Sequence, residues 1–452
     1  MSFFTAAQTT FNDVDTPTSG LGPGFNLDSC GGCHSFPASG GASPPTGNPQ
    51  IAVATAMGAT NVVPSFITAN GPVREVRFVR NPDGTPDGGV HDLFSIAGRT
   101  DGAGSCDLAQ PDFATQVANN NAIFRIPIST YGDGLIESLS DGALQADFAA
   151  QAQQKASLGI SGAFNMSGNT GNITRFGWKA QNMSLLMFAG EAYNVEQGVT
   201  NELFPNERNN PDASCQLNAL PEDATPVTAP TTSSGSQAAD FNSDIVQFAM
   251  YMRLLAAPTP AIPLNIPSGG TASASTATTT STATATTPAS TPVAMASVLP
   301  AAAGSSTTAT AAAAASTTAP SAASINAGLQ AFTNIGCSAC HTVTHTTGNS
   351  AVGTGATNVA INSFSDYATH NMGSGLADRV TQGNANGFMF RSAPLWGVGQ
   401  RAFFLHDGRT GDLLQAIQQH ASAGSEANTV IQQFQMLSTT DQQNILNFLR
   451  DL

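Results

Sequence analysis

Two runs carry an apolar residue at every third or fourth position, the repeat of a helix with one buried face. In the first, Ile245, Phe248 and Met252 share a side and the run closes on YMRLL (Tyr251–Leu255). In the second, Ile445, Phe448, Leu449 and Leu452 share a side and the run closes on FLRDL (Phe448–Leu452). That second run opens on Ser438-x-x-Asp441, a capping box that satisfies the first free backbone N–H groups. A third run, RTGDLLQAIQQHASAG, puts Leu413, Leu414, Ile417 and His420 on one face, with Gln418 and Gln419 turned away. It predicts a helix capped near Thr410 and ended near Gly424. GGVHDLFSIAGRT and NAIFRIPISTYGDGLIE read instead as short strands or extended loops around turns. Residues 257–324 break every pattern. They hold no charge and almost only Ala, Thr, Ser, Pro and Gly, so they have too few large apolar side chains for a core and read as a linker or insertion.

That stretch divides the chain into 1–256 and 325–452, and the two parts look like an old duplication. Phe25 precedes Cys30 by five residues, as Phe332 precedes Cys337, and YMRLL parallels FLRDL. Each part reads as helix, Cys-x-x-Cys-His, body and closing helix. The expected fold class is therefore mainly α: two cytochrome c-like domains with long loops and a few short strands. The first carries about a hundred extra residues.

Composition narrows the setting. Charged residues make up only 10 % of the 452, and the formal net charge is −15. The low charge suits a periplasmic or secreted protein. The sign argues against nucleic acid, whose phosphates need Lys and Arg, and favours a cationic protein partner. No run reaches the ~18 apolar residues of a membrane helix. No signal peptide is visible at Met1; the reading that follows expects one to have been removed or replaced. Of six cysteines, four lie in the two Cys-x-x-Cys-His motifs. Cys106 and Cys215 are left to pair in an oxidising compartment, or to remain two buried thiols.

Cys30, Cys33 and His34 match Cys337, Cys340 and His341 in spacing. Two thiols three positions apart reach both vinyl groups of a haem, and the next imidazole falls under the iron, so the motifs predict two covalently bound haem c groups. Zinc is the competing reading, but a His abutting the second Cys is badly placed to bind it. Among the other histidines, His420 is the expected sixth ligand of the second haem, because an imidazole on an apolar stripe needs a partner. Aligning Ser184–Leu186 on Asp412–Leu414 sets Trp178 opposite His406 and Ala192 opposite His420. Alanine cannot bind iron, so the His34 haem is expected to be open and the His341/His420 haem closed. Glu196 and Glu191, near Ala192, are candidates for moving protons, with surface carboxylates the plainer alternative. Trp178 is a candidate relay between the haems, or core packing. His345 reads as a surface residue.

FNDVDTPTSGLGPGFNLDSCGGCHSFPASGG, FGWKAQNMSLLMFAGEAYNVEQGVTNELFPNE and RSAPLWGVGQRAFFLHDGRTGDLLQAIQQH closely resemble the bacterial di-haem oxidoreductase family of peroxidase-like proteins. The resemblance is expected over both parts of the chain, with 257–324 an insertion. More distantly the chain is similar to the di-haem cytochrome c peroxidases and to the di-haem enzyme that matures methylamine dehydrogenase. That likeness implies an Arg fifteen residues before an F-H-D-G-like motif, kept by Arg391 and His406, and an axial ligand at His420. It further implies a relay tryptophan at Trp178, a distal Glu near Glu196, propionate contacts from Arg391 and Arg409, and a calcium between the domains. The implied activity is reduction of H2O2. Electrons would come from a small donor (a cytochrome c or cupredoxin) through the C-terminal haem to the N-terminal one. Two other readings stand beside it. One is an oxygenase of the rubber-oxygenase type. The other is a plain electron carrier, with His91, His370 or Met183 closing the first haem.

Overall fold

The computed structural model describes residues 2–208, 213–225, 243–266, 319–349 and 356–452. Residues 267–318 of the expected linker lie outside them. The chain is mainly α, and its described strands are short and antiparallel, paired in twos and once in a three-stranded sheet. Met1–Leu264 and Ala322–Leu452 make up one compact unit.

Each half is framed by an opening and a closing helix packed on each other. In the first half these are Ser2–Asn12 and Asp244–Leu254; in the second, Ala322–Asn334 and Thr439–Asp451. The apolar stripes face inward as the periodicity requires: Ile245, Phe248, Ile445 and Phe448 are all buried. Ser438 caps the last helix, its Oγ accepting from Asp441 N at 3.1 Å. The second pair crosses closely, because a Cβ on Gly328 would meet the Asn444 carbonyl at 2.0 Å. The fully buried Ala7 is the corresponding small residue of the first pair.

The helix pairs correct one expectation. Phe332 lies against His341 with ring centroids 6.3 Å apart, and also contacts Phe448. In the first half those contacts belong to Phe11, 6.1 Å from His34 and in edge contact with Phe248. Phe25 sits instead in the two-residue strand Gly24–Phe25, paired with Phe94. A loop inserted between the opening helix and Cys30 has moved the equivalent phenylalanine out of sequence register.

The extra residues of the first half form the three-stranded sheet, in which Glu75–Phe78 lies between Val90–His91 and Ala122–Arg125. Cys106 and Cys215 are joined by a disulfide that closes a loop of 109 residues. By chain entropy such a closure contributes about 4–5 kcal/mol.

A buried ion cluster ties the halves. The Asp378 carboxylate, fully buried, receives Lys179 Nζ at 3.0 Å and Arg125 Nη2 at 2.8 Å. Lys179 also donates to the Asn386 and Met389 carbonyls and lies 4.2 Å from the centre of the Phe390 ring. Removing one partner of such a cluster leaves buried charge unmatched. Asp378→Asn is therefore expected to lower the unfolding free energy by about 3–5 kcal/mol. Urea denaturation followed by circular dichroism checks this; a change below about 1 kcal/mol, the scale of a surface ion pair, would contradict it.

Candidate active site

Three histidines are oriented in the same way. His34 follows the short helix Cys30–Cys33, which Ser29 caps by accepting from Gly32 N at 3.1 Å. Its Nδ1 lies 2.9 Å from the Gly41 carbonyl oxygen. His341 Nδ1 lies 3.0 Å from Phe364 O, and His420 Nδ1 lies 2.8 Å from Ala416 O. A carbonyl oxygen only accepts, so in each ring Nδ1 carries the proton and Nε2 keeps its lone pair. Burial holds all three below the usual imidazole range; His341, which His420 also pushes down, falls to about 4. The neutral form, the one that binds metals, is the form present at pH 7.

His34, Cys30 and Cys33 line a first cavity of about 1310 Å³. His341, Cys337, Cys340 and His420 line a second of about 1480 Å³. Their walls are largely aromatic and aliphatic, with Phe11, Phe176, Phe188 and Val195 in the first and Phe332, Phe390, Phe404 and Ile417 in the second. Arg391 faces both cavities, and Arg401 faces the second. Each of these buried guanidiniums has an Nε–H without a partner. A broad apolar slot with a paired-thiol anchor, a fixed imidazole and unmatched guanidinium at its edge fits a haem and its propionates.

Arg409 departs from expectation. It is partly exposed, bound to Asp407 and to the Gly375 carbonyl, and lines neither cavity. Arg401 takes the place expected of it. No motif marked Arg401; only folding brings it to the cavity.

Ile126, Pro127, Trp178 and Arg391 belong to both linings, so they form a shared wall. The Trp178 indole N–H donates to Ile126 O at 2.9 Å, which fixes the ring. Its ring meets His406 edge-on at 6.4 Å, and His406 stacks on Phe390 at 4.3 Å.

The alignment that set Ala192 against His420 holds in three dimensions. Phe176–Asn182 and Phe404–Thr410 are bridged hairpins of the same length. Gly177 and Leu405, and then Ala180 and Gly408, adopt positive φ in register. Ser184 and Asp412 then cap the helices Leu185–Glu196 and Leu413–Gln418, each accepting from the backbone N three residues on. The second helix is shorter than its periodicity predicted: Asp412, not Thr410, caps it, and His420 lies just past its end, held by the bond to Ala416. Ala192 lines the first cavity and His420 the second.

The remaining histidines are engaged elsewhere. His91 contacts Asp87 at 2.8 Å and stacks on Phe78. His370 lines the second cavity with its nitrogens 3.0 Å from Glu426 and 3.1 Å from Asp366. Met183 is exposed. None of the three lines the first cavity. His345, expected at the surface, is buried between Asp147 and the Ser365 carbonyl, both at 2.6 Å.

The polar side of the first cavity carries Glu191 and Glu196, as the sequence reading proposed, and Glu75, Arg77 and Arg125, which it missed. Glu191 receives a hydrogen bond from Asn182 Nδ2. Glu196 receives one from Asn26 Nδ2 at 2.8 Å. Burial first, and then Glu75, push the Glu196 carboxyl well above the usual carboxylate range. The missed residues come from the inserted sheet, and only strand pairing could have placed them there.

A mainly α-helical protein with two cavities, each lined by a Cys-x-x-Cys-His motif, is thus defined. Residues 260–452 match the family model described as "Di-haem oxidoreductase, putative peroxidase". The match covers the second Cys-x-x-Cys-His and His420. It reaches into the 257–324 stretch and does not extend to the first half, where the resemblance was also expected. No curated protein matches the chain. Among the described residues, no group of three or more His, Cys, Asp and Glu could hold a metal ion, so calcium finds no such cluster there.

Behind Cys30, Tyr193 Oη donates to Asp15 at 3.1 Å and lies 3.4 Å from Asp244. Burial lifts Asp15 to about 7 and Asp244 to about 6 from 3.8. The folded chain then holds protons that the unfolded chain releases near pH 4, so stability falls as pH rises toward 7. The lowered histidines act in the opposite direction in both proteins, so the test is the difference between them: Asp15→Asn is expected to gain thermal midpoint relative to the wild type as pH goes from 5 to 8. A difference that stays constant over that range contradicts the assignment.

Proposed function

We propose that the chain is a periplasmic di-haem c-type peroxidase that reduces H2O2, its first cavity reactive and its second receiving electrons. The observation that carries this is the asymmetry of two matching frames, with His420 in one and Ala192 in the other. Cys30, Cys33 and His34 would hold one haem; Cys337, Cys340, His341 and His420 would hold the other. Bound there, haem would supply redox-active iron.

The chain's own residues do the rest. His34 is held in one tautomer and one orientation by Gly41. Glu196 keeps a proton at its carboxyl inside the first cavity, where reduction of a peroxide oxygen needs one. Glu191, fixed by Asn182, is a second acceptor on the same wall. Trp178 spans the wall between the cavities, which suits it to carry electrons across. Arg391 and Arg401 offer unmatched N–H groups to anionic edges.

The −15 net charge favours a cationic donor such as a small cytochrome c or cupredoxin. The Cys106–Cys215 disulfide supports an oxidising compartment. Among the described residues no helix is long and apolar enough to cross a membrane. The carboxylates and guanidiniums in the first cavity favour peroxide over the hydrocarbon substrate of an oxygenase. A plain carrier would need a second ligand there, and His91, His370 and Met183 all lie elsewhere.

The ferric protein is expected to show one high-spin and one low-spin signal by electron paramagnetic resonance. Ala192→His should turn the high-spin signal low-spin and abolish H2O2 turnover with a reduced cytochrome donor. A wild-type spectrum that is low-spin throughout would sink the proposal. Within the same assay, Glu196→Gln should lower kcat/KM by about 10²–10⁴-fold, the usual weight of a general acid; unchanged turnover would remove Glu196 from the mechanism.

A further inference from the structure

We infer that Glu75 and Glu196 share a single proton in the wall of the first cavity and act together as its proton-delivery site. The inference rests on the peroxidase reading only for the acceptor of that proton; the pair itself stands on geometry. Glu75 opens the strand Glu75–Phe78 and faces Arg125 across the sheet register. Arg77 Nε donates to Glu75 Oε1 at 2.7 Å, and Arg77 is itself held by the Gly88 carbonyl at 2.9 Å. Glu196 ends the helix Leu185–Glu196, and Asn26 Nδ2 donates to its Oε2. Asn26 is fixed in turn, its Oδ1 accepting from Leu93 N at 3.0 Å and its N donating to the Glu196 carbonyl at 2.7 Å.

Both carboxyl groups line the first cavity, and each acts on the protonation of the other. Two ionised carboxylates have only acceptors to offer each other, and away from water they repel. One proton between them removes the repulsion and supplies the missing donor, as in other paired acids. Arg77 and Arg125 lie on the Glu75 side, so Glu75 is the ionised member and Glu196 carries the proton. Burial opposes that ionisation, yet the two guanidiniums hold Glu75 well below the usual range.

In the delivery step the Glu196 O–H bond breaks and an O–H bond forms on an oxygen in the cavity. No electrons pass through the pair. Its charge goes from −1 to −2, balanced by Arg77 and Arg125, and water returns the proton. Glu191, Cys30 and Cys33 are further titratable groups near the pair.

Infrared spectra of the full-length holoprotein at neutral pH test this. Buried Asp15 and Asp133 contribute protonated-carboxyl bands of their own, so the relevant component is the one that Glu196→Gln removes. Glu75→Gln should remove the same component, because Arg77 and Arg125 would then ionise Glu196. Glu75→Asp should keep the component but shift it. Persistence of the component in Glu75→Gln, or an unshifted component in Glu75→Asp, overturns the shared proton, and the second variant decides if the first does not fold. Peroxide turnover of the wild type separates the two ideas. Turnover without the linked component rejects the pair and leaves the peroxidase; the component without turnover upholds the pair and rejects the peroxidase.

Discussion

The hydrogen bond from each imidazole Nδ1 to a backbone carbonyl is the constraint on which the rest depends. A free histidine can present either nitrogen and can rotate away. With the Gly41, Phe364 and Ala416 carbonyls as partners, His34, His341 and His420 can offer only Nε2. The carbonyls lie in segments that the helix frames position, so ring orientation follows from the fold. Phe11 and Phe332 buttress two of these rings from the opening helices. Anything that shifts the helix pairs shifts these imidazoles with them.

The second organising feature is charge placed where water is scarce. Asp378 takes ion pairs from both Arg125 and Lys179, whereas Arg125, Arg391 and Arg401 each keep an Nε–H without a partner and face cavities. An anionic ligand would remedy that deficit, and an orphaned buried N–H is costly enough to need such an explanation. The same contrast appears among the buried carboxylates. Asp378 is fully paired, while burial lifts Asp133, beside Arg391, to about 7.

The parts legible in the sequence were those with short-range signatures. The Cys-x-x-Cys-His motifs, the closing helices with their apolar stripes and the Ser438 cap depend on residues a few positions apart. The correspondence of Trp178 with His406 and of Ala192 with His420 was also readable, because the hairpin and cap between them have equal length in both halves. What depended on pairing through space was not. Glu75 reaches the cavity because its strand pairs with Ala122–Arg125, and nothing local announces that pairing. Arg401 and Arg409 look alike in the chain, but Asp407 captures one while the other is folded inward. Phe25 had the right spacing and the wrong role, since an inserted loop displaced the register. His345 looked like a surface residue because its partner, Asp147, is almost two hundred positions away, at a separation of 198.

The two halves differ less in frame than in what has been added to the frame. In the second, His420 fills the position over the cavity and the surrounding wall is aromatic. In the first, the matching position is Ala192, and the polar wall has two sources: Glu191 and Glu196 from the shared-frame helix, and Glu75, Arg77 and Arg125 from the inserted sheet. The helix carboxyls alone would face the cavity without counter-charge. The inserted sheet brings Arg77 and Arg125 to the same wall, and the two sources meet at one cavity. The inserted sheet is therefore part of the first cavity's wall, and Glu75 and Glu196 stand where the insertion and the shared-frame helix meet.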